Sequence, residues 1–358
     1  MVVIGADVHK WNHTFVAVDE VGRELGSKTV AATTAGHQAA IAWAREQFSQ
    51  DRRWAIEDCR HLSTRLERDL LGAGQAVVRV PPYMMAEQRR TARTVGKSDP
   101  IDALAVARAA MRDPDLPVAT HDETSRELKL LTDRRDDLLQ QRIATSNRLL
   151  WRLHEIDPDL APPKASLDRQ VKQRELAARL ADIPGIVAEL AREELADIVE
   201  LTRKINELKR RISPLVEAVA PSLLALPGVG PLSAAKIVGE TAGIARFKSE
   251  AAFARHGGIA PIPVWSGNSA GRVRLTRSGN RQLNAAIHRV AITQLRIPGP
   301  GKTYYAKKKA EGKSNPEALR CLKRQLARIV YRRLLADQTT MKDTQTACTH
   351  ATEVRAAA

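Results

Sequence analysis

The sequence predicts an α/β domain, then a helical middle, then a basic and mainly helical C-terminal domain. Three observations carry this. Short β-branched runs alternate with helix-like stretches over the first 120 residues, apolar residues recur at helical spacing through the middle, and glycine-rich turns and basic helix patterns follow residue 218. The resulting boundaries are 1–120, 121–217 and 218–336, with a polar tail at 337–358.

The first domain opens with VVIGADV (Val2 to Val8), HTFVAVD (His13 to Asp19) and a third strand near Lys28 to Ala32, the pattern of a meander. A helix over His37 to Phe48, the strand RWAIEDC (Arg53 to Cys59), a helix over Leu62 to Leu71 and the strand AVVRV (Ala76 to Val80) follow. Strand–helix–strand order implies a largely covered sheet. A last helix starts at about Pro100 with IDALAVARAAMR.

In the middle, Leu131, Leu138, Ile143, Leu149 and Leu153 follow helical spacing until Pro158, Pro162 and Pro163 break the chain. Ile198, Leu201, Ile205, Leu208 and Ile212 then form a heptad with Ile at one seam position and Leu at the other, a choice that favours paired helices. The partner is either the preceding helix or a second chain. A basic helix pattern over about Pro316 to Leu335 closes the last domain, and the tail from Asp337 is expected to fray.

Composition narrows the function classes. With 358 residues, 43% hydrophobic and 4% aromatic, the chain can bury a core resting on Ala, Leu, Val and Ile. The longest uncharged stretch, Ala218 to Ala235, is broken by Pro221, Pro227, Pro231, Gly228 and Gly230, so no membrane span is expected. MVVIGADVHK has no basic region ahead of a long apolar one, so a secretory signal is not expected and the location reads as cytoplasmic. Cys59, Cys321 and Cys348 lack the spacing of a disulfide framework or a zinc site. The net charge is +16, and between Ala245 and Leu335 there are 20 Lys and Arg against 3 Asp and Glu. So concentrated a field fits a polyanion, and nucleic acid is the expected partner.

Four carboxylates stand out by position: Asp7 late in the first strand, Glu57 late in the fourth, and Asp99 and Asp102 at a helix start. Acid inside a covered strand needs a partner, and a hard divalent cation supplies one. Two-metal phosphoryl transfer uses three or four such groups. Asp58 rivals Glu57 because strand neighbours point to opposite faces. Asp99 and Asp102 also suit a plain helix start, with Asp99 as N-cap ahead of Pro100. His9 and His13 lie across a strand–turn–strand region and read as surface residues.

LPGVGPLSAAKIVGE (Leu226 to Glu240) resembles the helix-hairpin-helix motif, making Gly228, Gly230 and Lys236 candidate nucleic-acid contacts through the turn and helix start. The plain alternative is a turn joining two core helices. Ser266 lies in the polar loop PVWSGNSAG, with Arg272, Arg274, Arg277 and Arg281 in the same basic stretch to neutralise a phosphate. It is a candidate nucleophile, against the alternative of an ordinary loop serine. Tyr304-Tyr305, ahead of Lys307, Lys308 and Lys309, reads as stacking or packing rings.

Taken together, GADVHK, AIEDC, GKSDPIDALAVARAA, LPGVGPLSAAKIVGE and GGIAPIPVWSGNSAGRVRLTRSGNRQLNAAIH resemble, in that order, the insertion-sequence transposases related to the Piv DNA invertases. The resemblance spans residues 1 to 335. It implies a RuvC-like, ribonuclease H-fold first domain whose Asp-Glu-Asp-Asp tetrad is Asp7, Glu57, Asp99 and Asp102 with bound Mg2+. It implies a serine nucleophile at Ser266; many relatives show two serines there, the first position here is Trp265, and Ser269 is the lesser alternative. A coiled coil between the domains, assembly as a dimer or tetramer, and a structured bridge RNA pairing with donor and target double-stranded DNA are also implied. The expected function is therefore DNA strand cleavage and exchange. A metal-dependent junction nuclease, an invertase without an RNA guide and a non-enzymatic DNA-binding scaffold are the competing readings.

Overall fold

A computed structural model describes the chain except residues 49, 58–61, 82–83, 86–97, 115, 117, 120–121, 265, 270–272, 276–278 and 357–358, and the side chains of 269, 275 and 341–356. The chain divides into two compact units, Met1–Asp122 with Ala245–Ser249, and Glu123–Ile244 with Glu250–Ala358.

The first unit is built on a sheet. Strands β1 (Val2–Val8), β2 (Asn12–Val18) and β3 (Glu24–Ala31) form the antiparallel meander. Helix α1 (Thr34–Gln47) leads to β4 (Arg52–Glu57), parallel to β1, and α2 (Thr64–Gly72) leads to β5 (Val77–Val80), parallel to β4. The order β3-β2-β1-β4-β5, with only β2 running against the rest, is that of a ribonuclease H-like sheet. Strand β3 begins at Glu24, earlier than the sequence pattern indicates, because this edge strand is held by backbone pairing to β2 and its polar ELGS half has no apolar alternation.

Helix α3 (Asp99–Arg112) covers one face, packing Ala103, Val106, Ala107 and Ala110 on Val3, Val16, Ala55 and Val78. Alternation sends Ile4, Ala6, Phe15, Trp54 and Ile56 to the opposite face, against Ala40 and Ile41 of α1 and Leu66 and Leu70 of α2. Gly5 marks the closest approach of α3: a Cβ there would lie 2.1 Å from the Ala103 carbonyl oxygen and 2.4 Å from the Ala107 nitrogen.

In the second unit α4 (Glu123–Ile156), α5 (Gln170–Leu180) and α6 (Ile186–Val219) form a helical hairpin. Helices α4 and α6 run antiparallel: Arg152 of α4 pairs with Glu194 of α6 at 3.0 Å, while Arg142, earlier in α4, donates to Thr202, later in α6, at 3.2 Å. Ile198, Ile205 and Ile212 are buried, and Ile198 packs with Leu149 and Leu153, so the Ile seam is used within the chain.

The chain continues through α7 (Pro221–Leu224), α8 (Pro231–Thr241), α9 (Glu250–His256), the hairpin β6 (Pro261–Pro263) and β7 (Val273–Leu275), α10 (Arg281–Arg296), α11 (Pro300–Ala310) and α12 (Asn315–Ala356). Helix α12 runs well past Leu335, since no Pro or Gly follows Pro316 to stop it. Asp337, expected in a fraying tail, is buried and accepts from the Ser222 backbone N–H at 3.1 Å.

His13 is a second correction: it is 3% exposed, not a surface residue. Its ring stacks on His37 at 5.1 Å, and the His37 Nδ1–H donates to Asp69 at 2.6 Å. Burial, reinforced by the His37 charge, lowers the His13 pKa from 6.5 to about 4. The unfolded chain therefore binds a proton that the folded chain refuses, so His13's contribution is complete above pH 6.5 and is lost as pH falls toward 4. His13→Phe, which keeps a ring against His37, is expected to flatten the decline of the melting temperature across that window in calorimetric scans.

Candidate active site

The carboxylates converge because of the α3 contact at Gly5. Asp7 is two residues beyond Gly5 on β1 and so shares the face that α3 covers. One helical turn back from Ala103 lies Asp99, which brings the first turn of α3 to the end of β1. The parallel register of β1 and β4 ends at Ala6 with Ile56, and Asp7 and Glu57 are the next residues along each strand. Ser98, not Asp99, is the N-cap residue and its side chain makes no capping bond; Asp99 and Asp102 both occupy the first turn. Asp102 is 7% exposed. Asp58 lies outside the described residues.

Burial pushes the Asp7 carboxyl above its ordinary pKa, and the charges of Asp102 and Asp99 push the same way against the opposing pull of His9. A divalent cation among these groups would turn their mutual repulsion into attraction. His9 is the residue that sequence reading missed. Its Nε2 lies 2.9 Å from Asp7 Oδ2 and 3.5 Å from Asp99 Oδ1, and ligand atoms of Asp7, His9 and Asp99 fall within 4.8 Å of one another. The signal was its place two residues after Asp7, just past the end of β1. Carboxylate oxygens joined by an imidazole nitrogen suit a divalent cation.

In the second unit Ser266 is exposed on the loop enclosed by β6 and β7, which pair Pro263 with Val273 and Ile262 with Arg274. Arg274 is exposed on β7, and Arg281 is exposed at the start of α10. Trp265, Arg272 and Arg277 lie outside the described residues, as does the side chain of Ser269. Gly230 is the N-cap of α8 and faces open space. Gly228 has φ +82°, and a Cβ there would meet Gln294 and Val290 of α10 at 3.2 and 3.3 Å, so this glycine serves a tight turn packed on a neighbouring helix.

One family model, DEDD_Tnp_IS110, described as "Transposase", matches residues 4–158, and a second, "Transposase IS116/IS110/IS902 family", matches residues 220–306. The chain belongs to the IS116/IS110/IS902 family of transposases. The transposase is 29% identical over 373 residues to the insertion element IS116 uncharacterized 44.8 kDa protein of Streptomyces clavuligerus, covering 92% of this chain and 93% of that one. It is 26% identical over 379 residues to the insertion element IS900 uncharacterized 42 kDa protein of Mycobacterium paratuberculosis, covering 91% and 94%. Among solved structures, T. thermophilus RuvC in complex with a Holliday junction substrate aligns at 15% identity and TM-score 0.26, covering 32% of this chain and 94% of that one. The ribonuclease H-like assignment rests on the strand order, not on that alignment. No helix among the described residues of the transposase is long and apolar enough to cross a membrane.

Lys236, expected at a phosphate, sits instead in an internal ion network of the transposase. It is 4% exposed, and its Nζ donates to Asp133 at 2.9 Å and Asp136 at 2.8 Å on α4. Burial pulls its pKa down, but Asp136 and Asp133 outweigh that and hold it above the ordinary value. Lys129 joins Asp133 at 2.9 Å to Glu240 of α8 at 2.7 Å, and Glu240 accepts from Asn280, the N-cap of α10, at 2.6 Å. Lys236→Met is expected to lower unfolding free energy by about 2–3 kcal/mol in urea titration, because it strands the partners of a buried ion pair. Replacing the exposed Lys302, Lys307 and Lys309 of α11 by Ala should instead leave stability within about 0.5 kcal/mol. That triple variant should weaken DNA binding and flatten its salt dependence.

Proposed function

We propose that this transposase cuts and rejoins DNA using a carboxylate–metal centre of Asp7, Glu57, Asp99 and Asp102 together with Ser266 as nucleophile, guided by a bridge RNA. The observation that carries the reading is the clustering of ligand atoms of Asp7, His9 and Asp99 within 4.8 Å where β1 meets the first turn of α3, with Asp102 in that same turn. Mg2+, when bound there, supplies charge stabilisation to the phosphoryl group in transfer. The Ser266 Oγ forms a bond to the scissile phosphorus and gives up its proton, while the P–O bond to the leaving sugar oxygen breaks and that oxygen is protonated. The phosphoserine diester retains the bond energy, and attack by the hydroxyl of the exchanged strand restores the serine, so no nucleotide cofactor is consumed. The basic stretch from Ala245 to Leu335 suits the phosphates of donor and target duplexes and of the RNA.

The turn from Leu226 to Glu240 is read as a helix-hairpin-helix element that holds backbone phosphate at Gly230. Assembly is assigned to the helical hairpin. Ile143, Leu150 and Trp151 of α4 recur on one side, Val199 of α6 is exposed as well, and Trp151 is 75% exposed. A second copy of the chain is the occupant in this reading, bringing a serine and a carboxylate centre from different protomers together. Trp151→Glu is expected to shift sedimenting species toward monomer.

The decisive test supplies the gene with its native flanking DNA in cells and sequences donor–target junctions. Wild type should give precise junctions, and Ser266→Ala and Asp102→Asn should each lower their frequency by about 10³-fold or more. Junctions that persist in Ser266→Ala would refute the serine assignment; junctions that persist in Asp102→Asn would refute the metal centre.

A further inference from the structure

We propose that His9 is a direct nitrogen ligand of the cation held by the carboxylates, so that this centre favours a first-row transition ion such as Mn2+ over Mg2+ more than its carboxylates alone would. The inference rests on the carboxylate–metal reading above and adds to it a residue and a metal preference.

Three observations support it. First, the spacing fits a coordination shell. Ligand atoms about 2.1 Å from one octahedral ion lie about 3 Å apart along an edge and about 4.2 Å apart across it. Nε2 of His9 is 2.9 Å from Asp7 Oδ2 and 3.5 Å from Asp99 Oδ1, with the set contained within 4.8 Å.

Second, one imidazole nitrogen faces two carboxylates at once: without a metal it holds Asp7 through a hydrogen bond at 2.9 Å, and a cation seated there would take the same three atoms as ligands. Third, the backbone fixes the aim. His9 directly follows β1, two residues after Asp7; Val8 between them is buried, and the His9 N–H donates to the Asn12 carbonyl at 3.0 Å, closing the turn into β2. The side chain itself is 49% exposed, so it can exchange a metal with solvent and its replacement leaves no cavity.

Imidazole favours first-row transition metals, whereas carboxylate and water are equally at home on Mg2+. Removing the ring should therefore cost Mn2+ affinity about tenfold, the lower end of what a disturbed ligand shell costs, and change Mg2+ affinity much less.

The test uses full-length protein without nucleic acid, Mn2+ as probe, calorimetric titration for affinity and pulsed electron paramagnetic resonance for nitrogen coupling. Wild type should bind Mn2+ with a 14N coupling of a coordinated imidazole. His9→Asn should lose the coupling and bind Mn2+ about tenfold more weakly, and His9→Asp, which offers oxygen, should recover affinity without the coupling. Circular dichroism of each variant checks that the fold is kept.

Mn2+ binding without nitrogen coupling in wild type, or coupling that persists in His9→Asn, would overturn the His9 assignment and leave the carboxylate centre standing. Should wild type bind no Mn2+, or Asp7→Asn bind it as tightly as wild type, the carboxylate–metal reading itself falls and His9 with it.

Discussion

The contact of α3 with β1 at Gly5 is the constraint on which the first unit depends. A helix lying over a sheet ordinarily stands off by the depth of its side chains, but Ala103 and Ala107 against a residue without Cβ let the two backbones nearly touch. That closeness decides where the first turn of the helix falls. Asp99 and Asp102 come to the end of β1 beside Asp7 because the first turn of the helix lies one turn back from Ala103. Any larger residue at Gly5 would lift the helix and spread the carboxylates, so a glycine that carries no ligand atom sets the geometry of those that do.

The second unit answers the same problem with charge instead of small residues. Gly239 again permits close approach, since a Cβ there would lie 2.9 Å from Lys129 Cα, yet what fastens α8 to α4 is the run from Lys236 through Asp133 and Lys129 to Glu240. Glu240 extends it to Asn280, whose side chain also caps α10 by accepting from the Leu283 N–H at 2.9 Å. Helix α10 carries Arg281 at its exposed start, so the buried network orients a surface cation that remains available to phosphate.

Asp7 was legible because acid in an apolar strand is an anomaly that burial penalises, and Asp99 because it stands at a helix start; these are the two carboxylates of the cluster with His9. The succession of strands and helices was legible for a similar reason, since covered strands read as apolar runs and their helices separate them. His9 was not, because histidine is at home both buried and exposed, and its role appears only when Asp99, ninety residues away, is seated beside it. His13 escaped for the same reason, its burial depending on His37 and the Asp69 that orients it. Lys236 misled because its motif matched a phosphate-binding pattern while Asp133 and Asp136, about a hundred residues earlier, had already taken its charge.

The basic third of the chain shows why counting charge locates a partner without locating its surface. Arg328 and Arg332 pair with Glu250, Lys323 is buried against Asn284, and Arg333 donates to the Ser222 carbonyl, so these cations hold α12 in place. Helix α11 differs in kind. None of its residues is buried, it contains no acid, and Lys302, Lys307 and Lys309 are exposed, while among the described residues Lys308 alone is matched, by Glu311 at 2.7 Å. A helix with so little buried surface derives little of its stability from packing. Counter-charge from a polyanion would relieve its self-repulsion, which makes α11 the part of the basic stretch whose charge is most free to act outward.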